Sequence, residues 1–212
     1  MPARSESELI EDILAGEHGL YEYFIRKYNQ RLFRTGMSIL NNDMEVEDAM
    51  QTAYIKAYEH LGTFKNHSSF GTWITRILIN ECLLQKRNKQ RLQIVQGNHP
   101  EKISHMDTPA HRLINKELST ALEDAISGLP EKYRLVFVLR EVENLSVKET
   151  AEVLLLEESN IKVRLNRAKT MLRENLAGYL KENVYAFHLT RCDRIVGHVL
   201  KELQIKHPLS IP

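Results

Sequence analysis

The chain is poor in cysteine and contains no long apolar run. Only two of its 212 residues are cysteines, Cys82 and Cys192, and they form no CxxC pair. This count argues against a disulfide scaffold or a zinc ribbon and favours a reducing compartment. No stretch approaches the roughly 18 uninterrupted apolar residues of a membrane helix, and residues 1–10 lack the apolar core of a signal peptide. We therefore expect a cytoplasmic protein without membrane insertion.

Motifs of enzymatic catalysis are also missing from the sequence. It contains no GxxxxGK[ST] phosphate loop, no HExxH and no nucleophile elbow, and its nine histidines are scattered. His188 and Cys192 are spaced like half of a metal site, but no second pair lies nearby, so we interpret them as part of a packed amphipathic helix. We expect no enzymatic activity, no metal and no cofactor. The formal net charge of +1 does not indicate whether the chain binds nucleic acid. The distribution of charge along the chain is the informative feature.

Helical periodicity runs through almost the whole chain, and no convincing strand pattern is present, so the predicted fold class is all-α. Ser5 with Glu8, and Ser146 with Glu149, form candidate capping boxes at two helix starts. Helices are expected at about 18–40, 44–61, 70–91, 146–155, 160–177 and 180–204. Residues 92–112 show no steady period and predict a flexible linker. The predicted organisation is a helical domain at 1–91, the linker at 92–112, a second helical domain at 113–177 and a C-terminal helical extension at 178–212.

Two short helices joined by a tight turn at 146–173 predict a helix-turn-helix. On a wheel of about 100° per residue, one side of the second helix holds an apolar stripe: Ile161, Leu165, Ala168 and Leu172. The other side holds polar and basic residues with one valine: Lys162, Val163, Asn166, Arg167, Thr170 and Arg173. Ala151 would let the two helices approach closely. The apolar stripe would pack on the partner helix and the other side would enter the major groove, where such side chains contact base edges. An amphipathic helix with a solvated basic face is the alternative.

The helix at 44–61 carries a second unusual surface. Opposite its apolar stripe lie two carboxylates, an amide and two large side chains: Glu47, Asp48, Gln51, Ile55 and Tyr58. Apolar groups ringed by acidic and amide groups are typical of a protein-docking patch. The alternative is that another helix of the fold covers Ile55.

The helix at 70–91 is basic along one side. Its cations are Arg76, Lys86, Arg87, Lys89 and Arg91, and within the helix only Glu81 opposes them. Such a stripe neutralises phosphates. Phe64, Phe70 and Trp73 surround a polar loop just upstream, and aromatic rings beside a basic groove bind unstacked bases. Packing of these rings in the core is the alternative, favoured slightly for Phe64 and Phe70.

Together these residues resemble a known family, the extracytoplasmic-function (ECF) sigma factors of the sigma-70 family. The resemblance rests on residues 45–54 (EVEDAMQTAY), 64–73 (FKNHSSFGTW), 77–80 (ILIN), 129–134 (LPEKYR) and 145–169 (LSVKETAEVLLLEESNIKVRLNRAK). It covers about residues 20–177 and implies sigma domain 2, a linker and sigma domain 4. The implied function is an RNA polymerase sigma factor, a subunit without catalytic activity that directs promoter recognition, DNA melting and transcription initiation.

The resemblance also implies a role for each surface. Glu47, Asp48 and Gln51, with the neighbouring Ile55 and Tyr58, would bind the clamp helices of the large subunit of core RNA polymerase. The minus-ten element, with a flipped base, would be bound by Phe64, Asn66, Ser68, Phe70, Trp73, Arg76, Asn80 and Arg87. The minus-thirty-five element would be bound by Lys162, Val163, Arg164, Asn166 and Arg167. An anti-sigma factor is a further implied partner, and the expected location is the nucleoid of a bacterial cytoplasm.

One stretch departs from the family pattern. The turn of the helix-turn-helix usually contains glycine, whereas residues 155–160 here are LLEESN. A stand-alone helix-turn-helix regulator that binds duplex DNA remains the alternative function. It explains residues 146–173 but leaves the basic, aromatic helix of the first domain without a role.

Overall fold

The computed structural model describes residues 4–65, 68–95 and 113–183, together with residues 194 and 198. Every regular element among these residues is a helix, which confirms the predicted all-α class. Within the described ranges, no helix combines the length and apolar character needed to cross a membrane. Residues up to Arg173 form one compact unit, and residues from Glu174 belong to a second.

The first module, residues 4–95, contains four α-helices and two short 3₁₀ turns. The α-helices are α1 (Glu6–Leu14), α2 (Tyr21–Leu40), α3 (Asp43–Glu59) and α4 (Phe70–Val95). The 3₁₀ turns are His18–Leu20 and Leu61–Thr63. The predicted capping box is present at α1, because the Ser5 hydroxyl accepts from the Glu8 amide while the Glu8 carboxylate accepts from the Ser5 amide.

Helices α2, α3 and α4 pack against one another around an apolar core. Phe24, Leu32, Phe70, Ile74 and Leu78 are fully buried there. Helices α2 and α3 approach closely at Gly36, where an added Cβ would lie 2.7 Å from Cγ1 of Val46. The chain reverses between these helices at Asn41, which ends α2 in the left-handed conformation with φ of 54°. This packing fixes the outward faces of α3 and α4.

The second module, residues 113–173, is also helical. Its elements are α5 (Leu113–Ser127), α6 (Glu131–Phe137), a π-helical segment (Val138–Val142), α7 (Val147–Leu154) and α8, which begins at Glu158 and runs on to Asn183. The capping box predicted at Ser146 and Glu149 is present at the start of α7. Helices α6 and α7 and the π-helical segment contact helices of the first module.

Several predicted boundaries were wrong. Helix α4 continues to Val95, four residues into the predicted linker. Residues 18–20 are a 3₁₀ turn and not part of α2. Helix α8 passes through 178, where a break was predicted, because a single glycine costs a helix only about 1 kcal/mol. Most of the helix predicted at 180–204 and most of the predicted linker lie outside the described residues, and the domain limits stay predictions.

Candidate nucleic-acid and protein interfaces

The outward face of α3 carries the predicted docking patch, formed by Glu47, Asp48, Gln51, Ile55 and Tyr58. All five side chains are exposed. Ile55 is 59% exposed, so no helix of the described residues covers it, and the alternative of a buried Ile55 does not hold there. Ile55 therefore leaves apolar surface in contact with water, and a partner bound there would bury it.

Within the described residues, Tyr58 is the member of this patch whose side chain contacts other helical elements. Its hydroxyl lies 2.7 Å from Nδ1 of His18, and its ring meets the edge of the Tyr21 ring with centroids 5.0 Å apart. The 3₁₀ turn before α2 therefore holds Tyr58 at the end of the patch. The other four side chains make no hydrogen bond or ion pair in the described part of the chain, and they are available to a partner.

The basic stripe of α4 divides into two groups. Arg76, Arg87 and Arg91 are exposed and have no carboxylate partner among the described residues. Lys86 and Lys89 are instead paired with carboxylates of other helices, Glu131 and Glu45. The three arginines and Asn80 are exposed on this face, and phosphate binding by them stays a prediction.

Glu81, the single acid of the stripe, does not oppose those arginines. It accepts a hydrogen bond from Lys56 of α3 at 2.7 Å, and its side chain is only 13% exposed. The pair joins α3 to α4, so Glu81 does not neutralise the exposed arginines. Within the described residues, the unpaired charges on the exposed side of α4 are therefore the three arginines.

The three aromatic residues near the start of α4 form one cluster but differ in burial. The centroids of Phe64 and Trp73 are 5.0 Å apart, and those of Phe64 and Phe70 are 5.9 Å apart. Phe70 is only 1% exposed and packs on Phe24 at 4.4 Å, so it belongs to the core. Phe64 and Trp73 are half-buried against that core. Base stacking in this conformation is open to them and not to Phe70.

A cavity of about 350 Å³ opens beside this cluster. Its lining residues are Glu6, Ser7, Ile10, Phe64, Ser68, Ser69 and Phe70. The sequence predicted the side formed by the loop but missed the side formed by α1, because nothing in the local pattern of α1 indicates its distant neighbours. Ser69 caps the start of α4, because its hydroxyl accepts a hydrogen bond from the Thr72 amide at 3.1 Å. The predicted base-binding residue Asn66 lies outside the described residues.

Glu6 is held firmly at the wall of this cavity. Its Oε1 accepts a hydrogen bond from the Tyr28 hydroxyl at 2.7 Å and lies 2.7 Å from Nζ of Lys27. Burial, followed by the hydrogen bond to Glu6, raises the pKa of Tyr28 well above its usual range, and the hydrogen bond to Glu6 does the same for Lys27. The phenol therefore stays a neutral donor, and α1 stays attached to α2.

Helices α7 and α8 form the predicted helix-turn-helix. Ile161 and Ala168 are fully buried, Leu172 is nearly so and Leu165 is partly buried, which confirms the inner stripe. Ile161 packs in a small core with Val136 and with Ala151, the residue predicted to allow close approach. The turn bends through Leu155, which adopts the left-handed conformation with φ of 54° although it is not a glycine.

The outward side of α8 presents the predicted major-groove residues. Lys162, Val163, Asn166 and Arg167 are exposed, and Arg164 is partly buried. Arg167 also donates to the Tyr133 hydroxyl at 3.2 Å, and this bond lowers the pKa of that phenol. Tyr133 of α6 thereby orients one of the basic side chains that were predicted to enter the major groove. Sequence reasoning missed this bond, because no local pattern links positions 133 and 167.

Comparison with known proteins identifies the family. The model of sigma-70 region 2 matches residues 24–92, and the model of sigma-70 region 4 matches residues 119–172. The first match spans α3 and most of α2 and α4, and the second spans α7 and the first half of α8. The chain belongs to the sigma-70 family, in its extracytoplasmic-function group.

Individual relatives agree over most of the chain. The RNA polymerase sigma-H factor of Pseudomonas aeruginosa is 26% identical over 188 residues, covering 84% of this chain and 96% of the relative. The ECF RNA polymerase sigma factor SigW of Bacillus subtilis is 26% identical over 176 residues, covering 79% of this chain and 94% of the relative.

Solved structures share the fold. The sigma factor RpoE of Bartonella quintana, in complex with the anti-sigma factor NepR, has a TM-score of 0.63 at 22% identity, covering 74% of this chain and 96% of that one. CnrH, in complex with the cytosolic domain of CnrY, has a TM-score of 0.59 at 20% identity, covering 80% and 96%.

Proposed function

We propose that this protein is a promoter-specificity subunit of RNA polymerase, which binds the core enzyme and directs promoter recognition, DNA melting and transcription initiation. One observation carries the proposal: the chain holds both region 2 and region 4 of the sigma-70 family. A polymerase-binding surface and two DNA-binding surfaces are then present on a single chain.

The patch on α3 is the proposed polymerase-binding surface. Its carboxylates Glu47 and Asp48 suit a basic partner, and Ile55 supplies apolar area to bury at the centre of the contact. We propose that the partner is the pair of clamp helices of the polymerase large subunit. Gln51 lies between the acidic and apolar ends of the patch, and Tyr58 marks its limit at the 3₁₀ turn.

The stripe on α4 and the adjoining cavity are the proposed minus-ten surface. Arg76, Asn80 and Arg87 would hold the DNA backbone, while a base of the unpaired strand enters the cavity beside Phe64 and Ser68. Removing a base from the duplex costs a few kcal/mol. Stacking on an aromatic ring returns about 1–3 kcal/mol and phosphate contacts return more. Strand opening therefore needs no chemical step by this chain.

The outward face of α8 is the proposed minus-thirty-five surface. Lys162 and Arg167 would contact guanine edges or phosphates, Asn166 suits an adenine edge, and Val163 could contact a thymine methyl group. Because Arg167 is oriented by Tyr133, we expect its contact to be the most sensitive to geometry.

An anti-sigma protein is a further proposed partner. The solved relative RpoE is in complex with the anti-sigma factor NepR, and CnrH is in complex with the cytosolic domain of CnrY. A protein of this class would regulate the chain by covering the surfaces that bind polymerase or DNA. The proposed function also requires the chain to act where the bacterial chromosome lies.

Run-off transcription tests the proposal directly. Core polymerase alone should ignore a cognate promoter, and addition of this chain should start transcription at one position. Arg76→Ala with Arg87→Ala should weaken promoter binding and lower the slope of log affinity against log salt by about 2, because each arginine removed leaves one phosphate without its cation. Arg26→Ala is the matched control, because Arg26 is an exposed arginine already paired with Glu22 at 2.6 Å.

The results also separate the proposal from its rival. Tight binding to a palindromic duplex without core polymerase, together with no start on any genomic promoter, would support a stand-alone helix-turn-helix regulator. Co-elution with core polymerase and a specific start support the sigma factor.

A further inference from the structure

We propose that Glu6 of α1 selects the base that enters the cavity beside Phe64, and that it favours cytosine or adenine over thymine or guanine. The inference rests on the proposed function, because the cavity has to receive an unpaired base of the minus-ten element. Helix α1 thereby gains a role in base selection, whereas the proposed minus-ten surface lies on α4 and on the loop before it.

Helix α1 forms one wall of the cavity and is a fixed part of the first module. Its side chains Ile10 and Ile13 are buried in the core of that module. The helix also contacts the 3₁₀ turn Leu61–Thr63, which leads into the loop on the other side of the cavity. The capping box at Ser5 orders the first turn of α1, where Glu6 is the first helical residue. Glu6 therefore has a defined place beside the loop.

Glu6 is the one charged residue among the described residues that line the cavity. The other lining residues are apolar or carry a hydroxyl group: Ile10, Phe64, Phe70, Ser7, Ser68 and Ser69. A carboxylate repels the phosphates of DNA. Within a nucleic-acid site, Glu6 can therefore aid binding only through contact with a base.

The carboxylate of Glu6 uses one oxygen for the fold and leaves the other for an occupant of the cavity. Oε1 accepts the hydrogen bond from Tyr28 and lies 2.7 Å from Nζ of Lys27. Oε2 makes no hydrogen bond to the described residues, and the Glu6 side chain remains 25% exposed. An ionised carboxylate accepts hydrogen bonds and donates none. Oε1 thus holds the side chain in place while Oε2 can accept a hydrogen bond from a base.

The size of the cavity suits a single base. Its volume of about 350 Å³ lies near the small end of the range of about 300–1,000 Å³ found for small-molecule pockets. Phe64 offers a ring for stacking there, but stacking does not distinguish the bases, because every base has a π face. Selectivity has to come from the polar groups of the lining, and the strongest acceptor among them is the charged carboxylate of Glu6.

The bases differ in what they present to such an acceptor. Cytosine and adenine carry an exocyclic amino group that donates, whereas thymine and guanine carry a carbonyl oxygen at the corresponding position. Flipped bases are recognised through these groups at the Watson–Crick edge. A carbonyl oxygen facing Oε2 would place two acceptors together and leave both without a donor, at a cost in binding. Glu6 therefore selects for the amino group.

Two pairs of bases test this contact without a change of ring shape. Cytosine against uracil, and adenine against hypoxanthine, exchange the amino group for a carbonyl oxygen. Run-off transcription with core polymerase and this chain would use a promoter whose minus-ten segment is kept unpaired by a non-complementary template strand. Each minus-ten position of the non-template strand would carry the four bases in turn. At one position, the amino base should give about tenfold more transcript than its partner when protein is limiting.

Glu6→Gln should reduce this ratio to about one, because an amide can turn either its oxygen or its nitrogen towards the base. Glu8→Gln is the matched control. It makes the same change on the same helix, Glu8 does not line the cavity, and glutamine also completes a capping box, so the ratio should stay unchanged. Loss of folding, or of the attachment of α1, would lower both signals of a pair and leave their ratio intact.

The outcomes separate this proposal from the proposed function. Equal transcript from both members of each pair at every position, or a preference that survives Glu6→Gln, would overturn the role of Glu6 and leave the sigma-factor function standing. Absence of transcription with every base would refute the proposed function, and base selection by Glu6 with it.

Discussion

Substitution of Gly36 by alanine should weaken the packing of α2 on α3. The added Cβ would lie 2.7 Å and 3.2 Å from the two γ-methyl carbons of Val46, whereas ordinary carbon contacts are about 3.5–4.0 Å. Both positions are inside helices and valine is stiff at χ1, so the strain has to be relieved by moving the helices apart. Overpacking of this kind costs about 1–3 kcal/mol. A contact of 2.7 Å places this cost near the upper end, at about 3 kcal/mol. Alanine recovers about 1 kcal/mol of helix propensity, which leaves a net loss of about 2 kcal/mol.

Urea unfolding measured by circular dichroism would show this loss as a lower midpoint. Gly62→Ala is the control, because its Cβ would meet nothing closer than Leu14 Cδ2 at 3.8 Å, and its midpoint should change little. Combining Gly36→Ala with Val46→Ala should cost less than the two single changes added together, since the clash is then removed. A Gly36→Ala protein as stable as the unmodified chain, or strictly additive effects in the double variant, would refute the close helix approach.

Three further predictions concern the turn, the cap and the thiol. Leu155→Gly should raise the free energy of unfolding by about 0.5–1 kcal/mol, because glycine adopts positive φ without the steric penalty of a side chain. Leu155→Ala should bring no gain in the same urea titration, because alanine keeps the Cβ. Hydrogen bonds from Ser146 lower the pKa of Glu149, so this carboxylate stabilises the fold above its unfolded pKa, and that contribution is lost as pH falls through the folded pKa. Glu149→Gln should therefore flatten the loss of stability below about pH 5, and an unchanged pH profile would count against the cap. Burial raises the pKa of the Cys82 thiol to about 12, so in a Cys192→Ser background a thiol reagent should react only on unfolding, and rapid labelling of the native chain would contradict the burial.

Local patterns in the sequence were sufficient for the all-α class, the two capping boxes and the apolar stripe of α8. The inner stripe of α8, from Ile161 to Leu172, follows from helical periodicity alone, and the structure buries it. The capping boxes depend on residues three positions apart, and both are present. The exposure of Ile55 was one of two open alternatives, and only the packing of the neighbouring helices could decide between them.

Contacts between distant parts of the chain could not be predicted in this way. Lys86 and Lys89 were expected to be free phosphate ligands, but carboxylates 45 and 44 positions away pair with them. The α1 side of the cavity and the hydrogen bond from Arg167 to Tyr133 are likewise contacts between residues that are distant in the sequence. Each depends on which helices become neighbours, and one-dimensional periodicity carries no information about that choice. The docking of the second module on the first belongs to this group as well.

Recruitment of core polymerase by a patch variant is the most direct test of the account. Gel filtration with core polymerase would compare three proteins: the unmodified chain, a patch variant and a control variant. The patch variant carries Glu47→Lys and Asp48→Lys. The control variant carries Glu11→Lys and Glu152→Lys, at two acids that are also exposed. All three should fold, as judged by circular dichroism. The account predicts that the unmodified and control chains co-elute with core polymerase and that the patch variant does not. Undiminished co-elution of the patch variant would contradict it.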